Sequence, residues 1–135
     1  YFTDQYYETL KEIINFSSKN STKVVLVKQA FFFNPAIQKE LQSNTLKENI
    51  ELLKNLKKNN LKQLNYHDSF WLITNATLNK IIDRFKNYEN VIIVDPIDSL
   101  VSNKKNFTDY VHLSPEGNII LASQISKKIS FILKK

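Results

Sequence analysis

The chain has 135 residues, 42% hydrophobic and 12% aromatic, which is apolar material enough for one domain with a real core. It has no cysteine, which excludes a disulfide framework, a thiol nucleophile and a cysteine-type zinc site. The formal charge is +6, but the lysines are scattered or in short pairs such as Lys57-Lys58 and Lys104-Lys105, with no nucleic-acid-binding motif beside them, so no nucleic-acid partner is expected.

No apolar run reaches the length of a membrane span, so no membrane segment is expected in the chain. The two histidines, His67 and His112, do not sit in a metal-binding spacing, and no metal or cofactor is implied. There is one glycine, where average usage gives about nine, and no methionine. The expectation is a piece of a longer product whose glycine-rich loops lie elsewhere.

Tyr1 to Phe16 reads as an amphipathic helix, with Tyr6, Tyr7, Leu10, Ile13, Ile14 and Phe16 on its apolar face and Thr3 or Asp4 as cap. Ser17 to Thr22 is a polar linker. Lys23 to Lys28 is a continuous β-branched run, the pattern of a buried parallel strand rather than an alternating edge. Phe31, Phe32 and Phe33 follow. Three consecutive rings cannot all face inward from a strand, and at least one belongs at the strand's C-terminal end, where open α/β sheets place ligands. Phe31 and Phe32 are therefore candidates for an apolar substrate wall. Packing under the next helices is the alternative, and aromatics more often serve it.

Pro35 ends the extended stretch. Ala36 to Leu64 is a long helical region broken near Ser43-Asn44, with Leu46, Ile50, Leu53, Leu56 and Leu61 as apolar stripe and Leu52 widening it. Asn59-Asn60 loosens its end. His67, Asp68 and Ser69 contain the three residue types of a serine-hydrolase triad, but neighbours in sequence point apart and do not form one. Asp68 or Ser69 is read as a helix cap, His67 as a loop residue, and Trp71 with Phe70 as cleft-lining or packing aromatics. A helix within Phe70 to Tyr88 is clearest from Thr77 on. Asn90 to Asp95 is a second buried parallel strand, stopped by Pro96. Ile97 to Asn106 is a loop or short helix, with Asp98 and Ser99 as possible caps.

The most informative stretch is Phe107 to Asn118, FTDYVHLSPEGN. Asp109 and His112 are three apart. Ser114 is placed to cap a helix, with Pro115 at its first position and Glu116 in its first turn. Ile119, Ile120, Ala122, Ile125, Ile129, Ile132 and Leu133 continue with helical spacing. A carboxylate beside an imidazole fixes its tautomer and stabilises the imidazolium formed when the other nitrogen takes a proton. The alternative is that Asp109 caps a turn and His112 packs on the last helix.

Two hydrophobic strands separated by helices give an α/β layered fold with a parallel sheet. Two strands are few, since sheets usually have about four to six. The others are expected upstream or from a partner.

The stretch FTDYVHLSPEGNIILA resembles the last conserved block of the SGNH (GDSL) hydrolases: Asp-x-x-His, Leu, a small polar residue, a spacer, Glu-Gly and a helix with an early Ala. The resemblance covers Thr108 to Ala122 as a motif and most of the chain as an order of elements. It implies a three-layer α/β/α, flavodoxin-like domain, of which residues 1–135 are the C-terminal portion and the N-terminal strands are missing. It implies His112 as general base and Asp109 as its orienting acid in ester or O-acyl hydrolysis, with an ester or acylated carbohydrate as substrate. The family's Gly-Asp-Ser, oxyanion glycine and Gly-x-Asn-Asp blocks are not found here. Asn34 lacks the glycine and second acid of the last of these and follows the wrong strand. By that resemblance the nucleophile lies upstream, in the remainder of the same domain. The competing reading is a non-catalytic α/β module that binds glycan, acyl chain or protein.

Overall fold

The computed structural model describes residues 2–58 and 66–133, and of these the side chains of 57, 58, 66, 67 and 133 are not described. The order is α1 (Phe2–Lys19), β1 (Val24–Val27), α2 (Pro35–Ser43), α3 (Leu46–Lys58), α4 (Tyr66–Asp83), β2 (Val91–Val94), α5 (Ile97–Val101), a short 3-10 turn (Lys104–Asn106) and α6 (Pro115–Leu133). The expectations placed on Tyr1, Asn59, Asn60 and Leu61 lie outside the described residues, as do the side chains of His67 and Leu133. Among the described residues no helix is long and apolar enough to cross a membrane.

The fold is mixed α/β and mostly helical, around a small sheet in which β1 and β2 run parallel, Val24 opposite Val91 through Val27 opposite Val94. Side chains alternate across a strand, so Val24, Leu26, Val91 and Ile93 share one face. They pack there with Ile14 of α1, Ile81 and Ile82 of α4, and Phe85. α6 packs along β2. A second cluster, Phe31, Leu41, Leu53, Leu72 and Ala76, joins α2, α3 and α4 to the loop after β1. A third gathers Ala30, Ile97, Leu100, Val101 and Phe107.

Local signals explain most boundaries. Asn34 caps α2: its Oδ1 accepts from the Ala36 and Ile37 amides at 2.9 and 3.3 Å, and Pro35 takes the first helical position. The break after Ser43 is a capping box. The Thr45 amide donates to Glu48 Oε2 at 2.6 Å, and the Glu48 amide donates to Thr45 Oγ1 at 3.3 Å. Two residues past the end of β1, the side-chain amide of Asn79 pairs with the Gln29 backbone as a neighbouring strand would. Its Oδ1 accepts from Gln29 N at 3.0 Å and its Nδ2 donates to Gln29 O at 2.9 Å.

Several expectations are corrected. α1 begins at Phe2 and runs to Lys19, so Asp4 sits in its first turn and not at a cap. Ile13 and Phe16 are exposed, because Ile14 with Tyr6, Tyr7 and Leu10 already fills the contact with α4 and β1. α4 is helical from Tyr66, which places His67 in the helix and not in a loop, and Asp68 and Ser69 inside the helix instead of capping it. Asp95, not Asp98 or Ser99, holds the start of α5, its Oδ1 accepting from the Ile97 amide at 3.3 Å. Ile119 on α6 and Leu46 on α3 are exposed members of their stripes.

Lys28, just beyond β1, was not singled out in the sequence. Its ammonium is buried and lies 2.9 Å from both Asp83 at the end of α4 and Asp95 after β2. Burial works to lower its pKa, but hydrogen bonds to Asp83 and Asp95 outweigh it and hold the group above its ordinary value. The charge is thus paired on both sides, the condition under which a buried cation is tolerated.

Candidate active site

The Asp109–His112 loop is held at both feet. On the incoming side Asn103 caps the 3-10 turn through the Lys105 amide at 3.0 Å, and the buried Asn106 donates from Nδ2 to Leu100 O at 2.9 Å. On the outgoing side Ser114 makes three bonds besides the one its carbonyl accepts from the Asn118 amide at 2.9 Å. Its amide donates to Asn106 O at 3.0 Å, its hydroxyl donates to Lys105 O at 2.6 Å, and Oγ accepts from the Gly117 amide at 3.1 Å. Ser114 is therefore both the cap of α6 and the clamp that ties it to the 3-10 turn. Between the feet, Phe107 and Leu113 form an isolated antiparallel bridge, and the Thr108 amide donates to His112 O at 2.9 Å.

Inside this frame Asp109 turns the chain back. Its Oδ1 accepts from the Val111 and His112 amides, each at 2.8 Å, which is the Asx-turn role open to a short carboxylate. Its Oδ2 lies 2.7 Å from His112 Nδ1. Backbone donation from His112 and Val111, then the His112 ring, holds the Asp109 carboxyl down at about 2. An ionised carboxylate only accepts, so the neutral ring carries its proton on Nδ1 and leaves Nε2 as the acceptor. The His112 side chain is 77% exposed, so Nε2 can be approached. The capping and catalytic readings of Asp109 are thus not exclusive: one oxygen makes the turn and the other orients the ring.

The depressed Asp109 value has a pH consequence. A carboxyl whose folded value lies below its ordinary 3.8 stabilises the fold fully above the ordinary value and loses that contribution as pH falls through the folded one. The Val111 and His112 amide resonances should therefore show an acid transition with its midpoint near 2. A midpoint near 4 would mean that Oδ1 is not held by these amides in solution.

The structure brings some of the sequence-predicted residues to this loop. Phe32 N donates to Tyr110 O at 2.7 Å, and the Phe31 ring stacks on Tyr110 with centroids 6.1 Å apart and planes 14° from parallel. The Phe32 ring meets Phe107 at 5.5 Å. Asp109 and His112 thus sit beside the loop that follows β1, at the C-terminal end of the strand. Phe31 is buried in the second cluster and Phe32 is half-buried. Trp71 is on α4, partly exposed, with its ring edge-on to Phe70 at 5.9 Å. Asn34 has its side-chain oxygen committed to the α2 cap.

Sequence reasoning missed three contributors. Tyr110 was passed over as the spacer between Asp109 and His112, yet it carries the contact with β1's loop. Asn106 offered only a position before the motif. Gly117 stands in the sequence only as the glycine of the Glu-Gly block, without its contact: a Cβ there would lie 2.1 Å from Asn106 O. Its solitary occurrence was the available signal.

Protein-family models, curated proteins and solved structures were compared with the chain, and none matches it.

Proposed function

We propose that this chain is the C-terminal part of an SGNH-type serine acyl hydrolase domain. The observation that carries the reading is the Asp109–His112 pair: Oδ2 at 2.7 Å from Nδ1, Oδ1 fixed by two backbone amides, and the ring open at Nε2. Orientation of the base by a third group is the arrangement that makes a serine nucleophilic. The finer architecture belongs to the same proposal. Further parallel strands continue the sheet beside β1, and helices on both faces complete three layers.

His112 Nε2 takes the proton of a serine hydroxyl presented by another segment of the domain. The serine oxygen forms a bond to the ester carbonyl carbon, and backbone donors of that segment stabilise the resulting oxyanion. Asp109 stabilises the imidazolium without itself becoming protonated. The proton then passes from Nε2 to the departing alkoxide, leaving an acyl-serine and an alcohol. Water, activated by the same nitrogen, releases the acid and restores the serine.

Fluorophosphonate treatment of the complete gene product, followed by mass spectrometry, tests this. One serine should be labelled, and His112→Ala should slow labelling about a thousandfold or more. Labelling that survives His112→Ala removes the base. A folded wild-type protein that is not labelled at all favours the non-catalytic binding module.

A further inference from the structure

The apolar stripe of α3 is only partly used inside the protein. Leu53 is buried in the second cluster, but Ile50 and Leu46, one and two turns earlier on the same face, open into a cleft between α3, α4 and the start of α1. Phe70 and Ile73 of α4 face them, with Phe2 from α1. The cleft has a volume of about 850 Å³, within the range of small-molecule sites. Its α4 wall runs from Ser69 to Ile81, roughly 18 Å at the helical rise. Phe2, Leu46 and Phe70 are each more than half exposed, so this is a contiguous apolar surface and not scattered exposure.

The charge in this cleft has one sign. Lys54, Lys80 and Arg84 line it, and among the described residues no acidic one does. Lys80, in the last turn of α4, and Arg84, just past its end, are four residues apart in the chain and both line the cleft. Lys80 Nζ donates to a neutral acceptor, Asn44 O, at 3.1 Å. The Arg84 guanidinium lies over the Tyr7 ring at 3.8 Å, an arrangement that leaves its N–H donors pointing outward in its own plane. Among the described residues neither forms an ion pair, although Glu48, whose carboxylate is held by Thr45, lies close enough to Lys80 to feel its charge. Lys54 lies elsewhere on the wall and is paired with Glu51 at 3.1 Å.

We propose that this cleft binds a free long-chain carboxylate, its alkyl chain along α4 between Phe70 and Leu46 and its carboxylate between Lys80 and Arg84. The lining favours such a ligand over a glycan, because the wall is mainly apolar and Thr77, one of its few hydroxyls, already donates to Ile73 O at 2.8 Å. It disfavours a second copy of the chain, which carries the same formal charge of +6. No residue of the Asp109–His112 loop lines the cleft. The proposal is therefore independent of the hydrolase reading.

Titration of the chain with cis-parinaric acid, below its micelle concentration, tests it. Saturable binding displaced by palmitate and not by butyrate is expected. Ile50→Trp, at a partly exposed position that fills the cleft, should abolish it while leaving the thermal melt unchanged. Lys80→Gln with Arg84→Gln should weaken palmitate about tenfold or more and leave methyl palmitate displacement unchanged. Three outcomes overturn the proposal. One is no saturable binding, or binding indifferent to Ile50→Trp. Another is binding to anionic vesicles but not to the monomeric acid. The last is a dimer, or a complex with an acidic amphipathic peptide, that Ile50→Trp disrupts while the acid fails to compete.

Discussion

Phe85→Ala should lower stability by about 4 kcal/mol, near the whole margin of a marginal domain. Phe85 lies just past α4 and is fully buried. Its ring stacks on Tyr7 of α1 at 5.1 Å and 18°, and meets Tyr88 edge-on at 5.3 Å. It shares a cluster with Ile14, Leu26, Ile81 and Ile82, so it is where α1, α4 and the sheet converge. Truncation removes the transfer term and leaves a cavity that three elements cannot all collapse into. The loss of two aromatic pairs adds to it. Urea unfolding is the measurement, with Ile13→Ala as comparison. Ile13 is exposed on the same helix that Phe85 holds, and its truncation should cost no more than about 0.5 kcal/mol. Equal costs for the two would mean that α1 does not dock by the face seen here.

Gly117→Ala should destabilise by about 3 kcal/mol, against the usual direction for such a change. In an ordinary helix the substitution gains about 1 kcal/mol, through helix propensity and a less flexible unfolded chain. Here the added methyl would stand 2.1 Å from Asn106 O and 3.0 Å from Asn106 C, both backbone atoms of the 3-10 turn. No rotamer relieves that contact, so α6 must move off the turn. The bonds from Ser114 N to Asn106 O and from Ser114 Oγ to Lys105 O cross the same contact and would lengthen with it. The Asp109–His112 loop would lose one of its feet. Denaturant unfolding gives the stability, and the His112 amide shift reports whether the loop moves. A variant as stable as wild type would mean that α6 and the 3-10 turn are not in contact.

Both predictions concern contacts that no local pattern encodes, and this divides what the chain discloses. Elements set by near neighbours were legible. The β-branched runs gave β1 and β2, because such side chains suit a pleated strand with both faces covered. Ser43-Asn44 marked the α2–α3 break, and Ser114-Pro115-Glu116 marked the start of α6, because capping bonds span only two or three residues. The Asp109–His112 contact was legible for the same reason. Its partners are three apart, and Asp109 folds the turn that brings them together.

What the sequence determined by itself is thus the two strands, the helical segments, the final helix cap and the existence of an Asp–His pair. Only the tertiary structure decided which faces of the helices are used. Periodicity shows that Ile13, Leu46, Ile50 and Ile119 lie on apolar stripes, but burial depends on whether another element stands opposite, and for these four none fully does. Likewise only the fold joins Lys28 to Asp83 and Asp95, sets Tyr110 on Phe31, and presses Gly117 onto Asn106. The physical reason is range. Capping and side-chain period act over one or two turns, whereas these contacts close chain loops whose entropy is offset only when the whole core packs at once.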